Sequence, residues 1–471
     1  MILVIFSIPH SPYFCAMNVK DFIHKYNVPG PRYTSYPTVP FWKKNEFTSS
    51  EWLQELAHSF HQYPDASIGI YIHLPFCESL CTFCGCHKRI TKNHAVETSY
   101  IDSVLKEWSI YQKYLPKNIR ISELHFGGGT PTFFHPTELL RLLKGIFQLD
   151  QIDPKVCDLS FEAHPNSTSE AHLQSLFDVG FRRVSFGVQD YNPIVQKAIH
   201  RIQSLADVTF VHERSKKIGY TSINHDLVYG LPHQHLAGFE QTITNTIQLK
   251  PERIALYGYA HVPWIKGTGQ RGYDEEDLPK EIEKRALYEM ACEKLIANGY
   301  IAIGMDHFAL PTDNLAQAFK EKRLHRNFMG YTTQTTKFLL GLGMSAISDS
   351  WSGFAQNDKT VESYQEQINR GELAVFRGHL LNDLELEIRS YILDLMCHFE
   401  TSFLAESKHT DTHDFIREKL SPLVEDGLVT VHGTIVKVTE QGYPFVRNVC
   451  MAFDLDLHHY QSTKPIFSAT I

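Results

Sequence analysis

No stretch of this 471-residue chain is apolar for long enough to cross a bilayer, since a spanning helix needs roughly 20 such residues. No membrane span is expected. Positive charge is also in short supply. There are 45 Lys and Arg against 53 Asp and Glu, a formal charge of −8 at pH 7, which argues against a broad nucleic-acid surface. The run Glu213-Arg-Ser-Lys-Lys217 reads as a solvated helix face. The stretch from Met1 to His10 is apolar but has no positively charged leader and has early prolines, so it makes a poor signal peptide. Residues 1–16 read either as an upstream extension or as a short arm, with an ordinary soluble start at Met17. A chain beginning at Met17 is expected to fold and turn over normally. No repeat is present beyond the strand–helix alternation described below. The length suggests two or three domains, and 43% apolar residues suffice for a sizeable core.

Cysteine is scarce, nine residues in all, yet Cys77, Cys81, Cys84 and Cys86 fall in one short loop. Disulfides are not expected in a large cytoplasmic enzyme. A zinc site ordinarily brings a second ligand pair downstream, whereas Cys157, Cys292, Cys397 and Cys450 are scattered. The remaining reading is an iron–sulfur cluster held by thiolates. Cys77, Cys81 and Cys84 form C-x3-C-x2-C, three ligands for a four-iron cubane, which leaves one iron open. Electron-carrier clusters are closed by a fourth ligand. An open corner is a place to bind substrate, as at catalytic zinc. Cys86 admits two readings, a fourth ligand or a neighbouring thiol. Its one-residue spacing from Cys84 favours the second.

Residues 27–38 hold three prolines and a glycine, which forbid a regular helix. The segment is rich in Tyr and carries Arg32. It reads as an extended arm, either a surface strap or a functional cover. A helix is expected over residues 50–63 with Ser50 as its N-cap. Then strands predicted at Ile68–His73, Ser122–Phe126, Asp158–Ala163, Arg183–Val188, Ser222–Val228 and Arg253–Tyr259 alternate with helices such as Ala95–Tyr114, Pro136–Gln148, Ser169–Phe177 and Phe239–Leu249. Such alternation means parallel β/α units, in an open sheet or a barrel. Ile301–Phe308 is a candidate for one more strand.

The unusual residues follow the strand ends: the cysteines, then Gly127-Gly128-Gly129-Thr130, Glu162-Ala-His164, Gly187-Val-Gln189, Asp226, and Tyr259-Ala260-His261. Polar groups collected at one end of successive parallel strands are how a β/α barrel builds its active site. The glycines would let backbone approach a ligand closely and expose its N–H and C=O groups. Around residue 360 the pattern changes. Residues 384–398 suit an amphipathic helix, and 420–439 read as helix, hairpin and strand, like a small winged-helix module. No Arg/Lys-rich recognition helix accompanies it, so it is assigned to packing or a lid.

The cysteine loop resembles that of the radical S-adenosylmethionine (SAM) superfamily. The arm Gly30–Thr38, the loop Cys77–Lys88 and the strings Gly304–Ala309, Arg326–Gln334, Gly343–Ser348 and Arg447–Cys450 resemble one family within it, the bacterial oxygen-independent coproporphyrinogen III oxidases (dehydrogenases). The likeness runs from about Val19 to the C-terminus. It implies an α/β fold: an incomplete parallel (β/α)6 barrel with an N-terminal arm and a mainly helical C-terminal domain. The expected divisions are 1–50 for the extension and substrate-covering arm, 51–326 for the barrel and 327–471 for the C-terminal domain.

The resemblance also implies one [4Fe–4S] cluster on Cys77, Cys81 and Cys84, and two SAM molecules. The first SAM would meet Tyr71, Gly128, Glu162 and Ile347. The second would meet Phe83, Gly129, Thr130, Gln189, Arg201, Asp226 and Ala260. The residue types suit this, with carboxylates for ribose hydroxyls or ammonium and a guanidinium for a carboxylate. The chain departs from the family at His164, where an acid is usual, and at His200 and Ile202, where Asn and Glu are usual.

The implied reaction turns two propionates of coproporphyrinogen III into vinyls, giving protoporphyrinogen IX in haem biosynthesis, by way of a 5′-deoxyadenosyl radical. A flavodoxin or ferredoxin-type donor would supply electrons to a cytoplasmic monomer. The alternative is a haem chaperone sharing the barrel and cluster motif. Such chaperones lack the arm and have an aromatic residue where Cys86 stands. Because the substrate carries four carboxylates and the chain is acidic, local cations are needed. Arg32 is expected to hold a propionate while the arm closes over the barrel mouth and its tyrosines cover the macrocycle.

Overall fold

The computed structural model describes residues 19–44, 46–147, 156–263, 270, 272–460 and 466–470. The expectation about residues 1–16 lies outside them. Six strands run in parallel succession: β1 (Ile68–Leu74), β2 (Ile121–Gly128), β3 (Asp158–Ala163), β4 (Arg183–Gln189), β5 (Ser222–Tyr229) and β6 (Arg253–Gly258). Each lies within a residue or two of its expected position. The predicted strand 301–308 is instead an antiparallel hairpin, β7 (Ile301–Ile303) and β8 (His307–Ala309), with β8 closing against β6. Gly304, in the left-handed region at φ 58°, makes the turn.

The sheet continues past the boundary expected at 326/327. Strand β9 (Phe338–Leu342) pairs in parallel with β1, and β10 (Ile347–Asp349), β11 (Gly353–Asn357) and β12 (Val375–Leu380) follow in antiparallel order. With the short strand Lys43–Lys44 this makes one 13-stranded sheet whose two ends do not pair, so the barrel is incomplete. The expected domain limit therefore cuts across a continuous sheet. The barrel core likewise runs from Phe47 to Ala374.

The expected helices are present, at Ser49–Gln62, Val96–Tyr111, Pro136–Ile146, Glu170–Asp178 and Leu236–Leu249. The first is capped by Thr48 and not by Ser50. The Thr48 hydroxyl accepts from Glu51 N–H while the Glu51 carboxylate accepts from Thr48 N–H, a reciprocal box that Ser50 cannot form. The long helices Leu205–Ile218 and Glu281–Ala297 complete the outer layer.

Beyond Leu380 a second core forms. The helices Asp383–His398 and Thr410–Glu425 pack on a three-stranded sheet of Glu400–Ser402, Val429–His432 and Ile435–Val438. The N-terminal arm belongs to this core. Tyr33 and Tyr36 are 4% and 2% exposed, and Tyr33 donates to Asp454 at 3.0 Å. The expectation that the tyrosines cover a substrate is therefore corrected, because burial against the C-terminal helices removes them from the barrel mouth. Arg447 fixes the arm by donating to the carbonyls of Gly30 and Pro31.

Arg389 ties the two cores together. From the helix Asp383–His398 it donates to Asp349 on β10 at 3.1 and 2.5 Å and to the Trp351 carbonyl. Removing one partner of a largely buried pair strands the other charge. Arg389→Ala should thus cost about 3–5 kcal/mol in denaturant unfolding. The double replacement with Asp349→Ala should cost less than the two single losses added.

Candidate active site

Strand residues alternate in direction, and in this barrel the inward set is polar. Glu123 and His125 on β2, Asp158, Ser160 and Glu162 on β3, Arg183 and Ser185 on β4, Asn224 and Asp226 on β5, and Arg253 on β6 share the lumen. The intervening Leu124, Phe126, Leu159, Phe161, Val184, Phe186, Ile223 and Ile254 face the helices and form the core. At the closed end, Arg183 pairs with Asp158 at 2.8 Å and stands 4.0 Å from Glu123, while Arg253 pairs with Asp313 at 2.7 Å. Burial pushes the Glu123 carboxyl up to about 7. A cavity of about 170 Å³ lies among these groups.

At the open end, past the carboxyl ends of the strands, is a cavity of about 640 Å³. Cys77, Cys81, Cys84 and Cys86 all line it, as do Phe83, Gly128, Gly129, Thr130, Glu162, Gln189, Arg201, Asp226 and Ala260. Two expected contacts stand apart from its wall. Tyr71 lies a layer deeper, stacked on His125 with its hydroxyl 3.0 Å from His73 Nδ1. Ile347 is on β10, with its backbone against Gly341 of β9.

The cysteine loop is anchored on both sides. Arg89 and Thr91 N–H donate to the carbonyls of Pro75 and Cys77, and Thr82 donates to Ala198 and Ile199 carbonyls. The Gly-Gly-Gly-Thr segment packs directly beneath it. Gly129 and Thr130 N–H donate to Leu74 and Phe76 carbonyls, and Gly128 N–H to the Glu162 carboxylate at 3.2 Å. The Gly129 and Thr130 N–H groups are thus spent on the backbone leading into the loop, and that of Gly128 on Glu162, where the sequence suggested that they face a ligand. A Cβ at Gly129 would stand 2.5 Å from Pro75 O, so close approach of two backbones is what requires glycine there.

The thiols are free among the described residues. Burial pushes Cys77 up to about 11, although a 3.4 Å contact with the Thr130 hydroxyl opposes this. The Cys86 thiol hydrogen-bonds Cys84 and, with Lys88, holds Cys84 down at about 6 against burial. Arg201 donates to the Gly187 carbonyl at 2.6 Å and reaches Cys81 Sγ at 3.7 Å. Its Nε has no partner among the described residues. Gln189 turns beside it at φ 66°. The departure His164 lines the same wall. Burial and the Arg201 charge hold its imidazole down at about 3, so it is neutral where an acid would have paired with Arg201. His200 and Ile202 are on the exposed turn leading through Arg201.

Comparison with known proteins matches residues 71–245 to the radical SAM superfamily. The chain is 38% identical to the oxygen-independent coproporphyrinogen III oxidase of Escherichia coli, over 92% of this chain and 94% of that one. It is 36% identical to the Pseudomonas aeruginosa protein of the same name, over 92% and 95%. The solved structure of the Escherichia coli coproporphyrinogen III oxidase, described as a radical SAM enzyme, superimposes with a TM-score of 0.85 at 36% identity, covering 90% of this chain and 98% of that one.

The chain belongs to the oxygen-independent coproporphyrinogen III oxidase family. Membership brings a [4Fe–4S] cluster and SAM. The residues fit such a group, since three thiols line one cavity on an anchored loop.

Sequence reasoning missed the residues that hold the expected ones. Ser185 and Asn224 donate to the two oxygens of Asp226 at 2.8 and 2.7 Å, and His125 lies 3.6 Å from Glu162. The polar period of two along β2 to β5 was the available signal. It also missed a cationic seam beside the mouth, where a narrow cavity of about 60 Å³ is lined by Arg32, Lys284, Arg285, Asp306 and Arg447 and shares Arg32, Gly258 and Tyr259 with the large one. Burial and the charges of Arg32 and Arg447 hold Lys284 down at about 8. Although burial opposes it, His307, Arg326 and Arg32 hold Asp306 down at about 2.

Burial raises Asp226 to about 6 against the opposing Ser185 and Asn224 bonds. The folded carboxyl therefore binds a proton that the unfolded one has released between about pH 4 and 6. Stability from this group falls as pH rises through that window and is flat above it. Asp226→Asn should remove that fall, worth of the order of 2 kcal/mol, in unfolding measured from pH 4 to 7.

Proposed function

We propose that this chain oxidatively decarboxylates two propionates of coproporphyrinogen III to vinyls without oxygen, giving protoporphyrinogen IX for haem. The observation that carries this reading is the meeting, in one cavity at the strand ends, of the three loop thiols with nine of the eleven residues expected around SAM. The relatives' shared name, at 36–38% identity over nearly the whole chain, supplies the substrate. When bound, the cluster and SAM supply hydrogen-atom abstraction by a 5′-deoxyadenosyl radical, and each propionate then loses one electron and carbon dioxide.

The protein's part is to bind, orient and enclose. Cys77, Cys81 and Cys84 are the cluster ligands, with Cys86 a thiol that hydrogen-bonds Cys84. Glu162 and Asp226, held by Gly128 N–H and by Ser185 and Asn224, accept bonds from SAM hydroxyl or ammonium groups. Arg201 is placed to meet a SAM carboxylate. Two SAM molecules would bind, the first at Tyr71, Gly128, Glu162 and Ile347 and the second at Phe83, Gly129, Thr130, Gln189, Arg201, Asp226 and Ala260. The enzyme acts as a cytoplasmic monomer charged by a flavodoxin or ferredoxin-type donor.

Arg32 faces both cavities and donates to the Gly258 carbonyl at 2.7 Å. No carboxylate pairs with it among the described residues. The seam brings Arg32, Lys284 and Arg447 to one cavity with Asp306 and with Arg285, which is paired with Glu289 at 2.7 Å, a local cationic surplus suited to a substrate with four carboxylates. Tyr229, Tyr257 and Tyr259 at the ends of β5 and β6 provide aromatic surface nearby.

The decisive assay is anaerobic incubation of reconstituted protein with dithionite, SAM and coproporphyrinogen III. Vinyl products and 5′-deoxyadenosine are expected, and haem binding without turnover would overturn the reading. Serine at Cys77, Cys81 or Cys84 should abolish the iron–sulfur absorbance, while Cys86→Ser should keep it. Losing a desolvated charge partner costs about 2–5 kcal/mol. Arg32→Ala should accordingly weaken substrate use by roughly 30-fold or more, with substrate-free SAM cleavage unchanged. A lower melting temperature with unaltered substrate affinity would instead make Arg32 a pin for the arm through Gly258.

A further inference from the structure

A second group of cations lies away from the substrate seam. The short strand Lys43–Lys44 pairs antiparallel with β12, and the register sets Lys44 opposite Arg377. Like charges in that position destabilise a sheet. Lys359 joins them. Lys44 Nζ, Lys359 Nζ and the Arg377 guanidinium stand 5.2, 5.6 and 5.1 Å from the centre of one ring, Phe376. Burial and the charges of Arg377 and Lys44 hold Lys359 down at about 8. The nearby acids offset this crowding only in part, Asp358 favouring the Lys359 charge. Asp358 accepts from Thr360 N–H and from the Ser363 hydroxyl, and Glu362 is paired with Arg89 at 2.8 Å. A stable fold gains nothing from such crowding in a chain whose net charge is −8.

The location suggests a use. Arg89 follows the cysteine loop directly, and its ion pair with Glu362 joins that loop to the helix Val361–Asn369, just after Lys359. Lys88, which donates to the Cys84 and Cys86 carbonyls, extends the positive surface to Gly85 and Cys86, which are exposed. Lys359, Arg377 and Lys88 also act on His87, whose imidazole burial holds down at about 4. A positive face on an acidic protein, beside the segment through which electrons must enter, fits an acidic carrier and steers its approach.

We infer that Lys44, Lys359 and Arg377, grouped on Phe376 beside the cysteine loop, are the docking surface for an acidic one-electron carrier protein of the flavodoxin type. This rests on the proposed function, since only a protein that must be recharged needs such a surface. One electron would leave the reduced flavin hydroquinone, which becomes the semiquinone, and would reduce by one electron the cluster that Cys77, Cys81 and Cys84 would hold.

The test uses the full-length holoprotein, its Lys44→Glu/Lys359→Glu variant and a Lys44→Gln/Lys359→Gln variant, with a bacterial flavodoxin as probe. Flavodoxin binding is titrated at low and at high salt, and cluster bleaching is followed by stopped flow with reduced flavodoxin or with dithionite. The wild type should bind and lose affinity with salt. The Glu variant should bind at least about tenfold more weakly, with Gln intermediate and dithionite bleaching equal in all three. Equal flavodoxin binding by wild type and variants, or no binding by the wild type, overturns the inference. So does a DNA duplex that binds this face while flavodoxin does not. Should dithionite with SAM yield no 5′-deoxyadenosine from the wild type, the proposed function fails, while the binding titration still decides on the docking surface.

Discussion

Burying charge inside a barrel is costly, and this barrel points polar side chains inward along its central strands, with Glu123, Asp158, Glu162, Arg183, Asp226 and Arg253 among them. The charges survive because they are balanced in layers. At the closed end Arg183 answers Asp158 and Glu123, and Arg253 answers Asp313. Towards the open end the guanidiniums give way to neutral donors, Ser185 and Asn224, which leave Asp226 and Glu162 to carry negative charge into the cavity. An apolar lumen could not hold two carboxylates there, since an unpaired buried charge is lost by protonation. The position of the reactive chemistry thus depends on the ion pairs beneath it, although none of these touches the large cavity.

The same economy explains the cysteine loop. A loop carrying three ligands gains precision only when its backbone is fixed. Here β1 continues past Leu74 into the loop, and the glycine segment after β2 runs alongside it, so the two exchange backbone hydrogen bonds. The absence of side chains at Gly128 and Gly129 permits that contact. The glycines hold the ligand loop first, and any closeness to SAM follows from that.

The parallel strands, their order and the residues at their ends were legible because periodicity and strand-end polarity are local properties. Cys77, Cys81 and Cys84 were legible for the same reason. What sequence could not show was partnership at a distance. The Tyr33 and Tyr36 rings suggested a cover for substrate, but the same aromatic composition serves equally well for packing, and the C-terminal helices claim them. Strands β9 to β12 were hidden because short segments such as Ile347–Asp349 have no periodicity of their own and are defined by their neighbours, β9 by β1 and β10 by β9 and β11. The seam of Lys284, Arg285 and Arg447 is likewise invisible along the chain, since it joins a barrel helix to the short helix Val446–Met451.

Arg447 shows why the arm, the barrel and the C-terminal unit must be read as one device. All its nitrogens donate to main-chain carbonyls, at Gly30 and Pro31 in the arm and at Ala469 and Thr470 near the C-terminus. Carbonyl dipoles satisfy its hydrogen bonds without cancelling its charge. The charge therefore remains available to the neighbourhood, where with Arg32 it depresses Lys284. The arm and the C-terminal segment are held by a cation whose field still acts on the seam. An acidic protein that must receive a polycarboxylate gains by this arrangement, because Arg32, which the arm carries, joins the seam cations where Arg447 seats the arm.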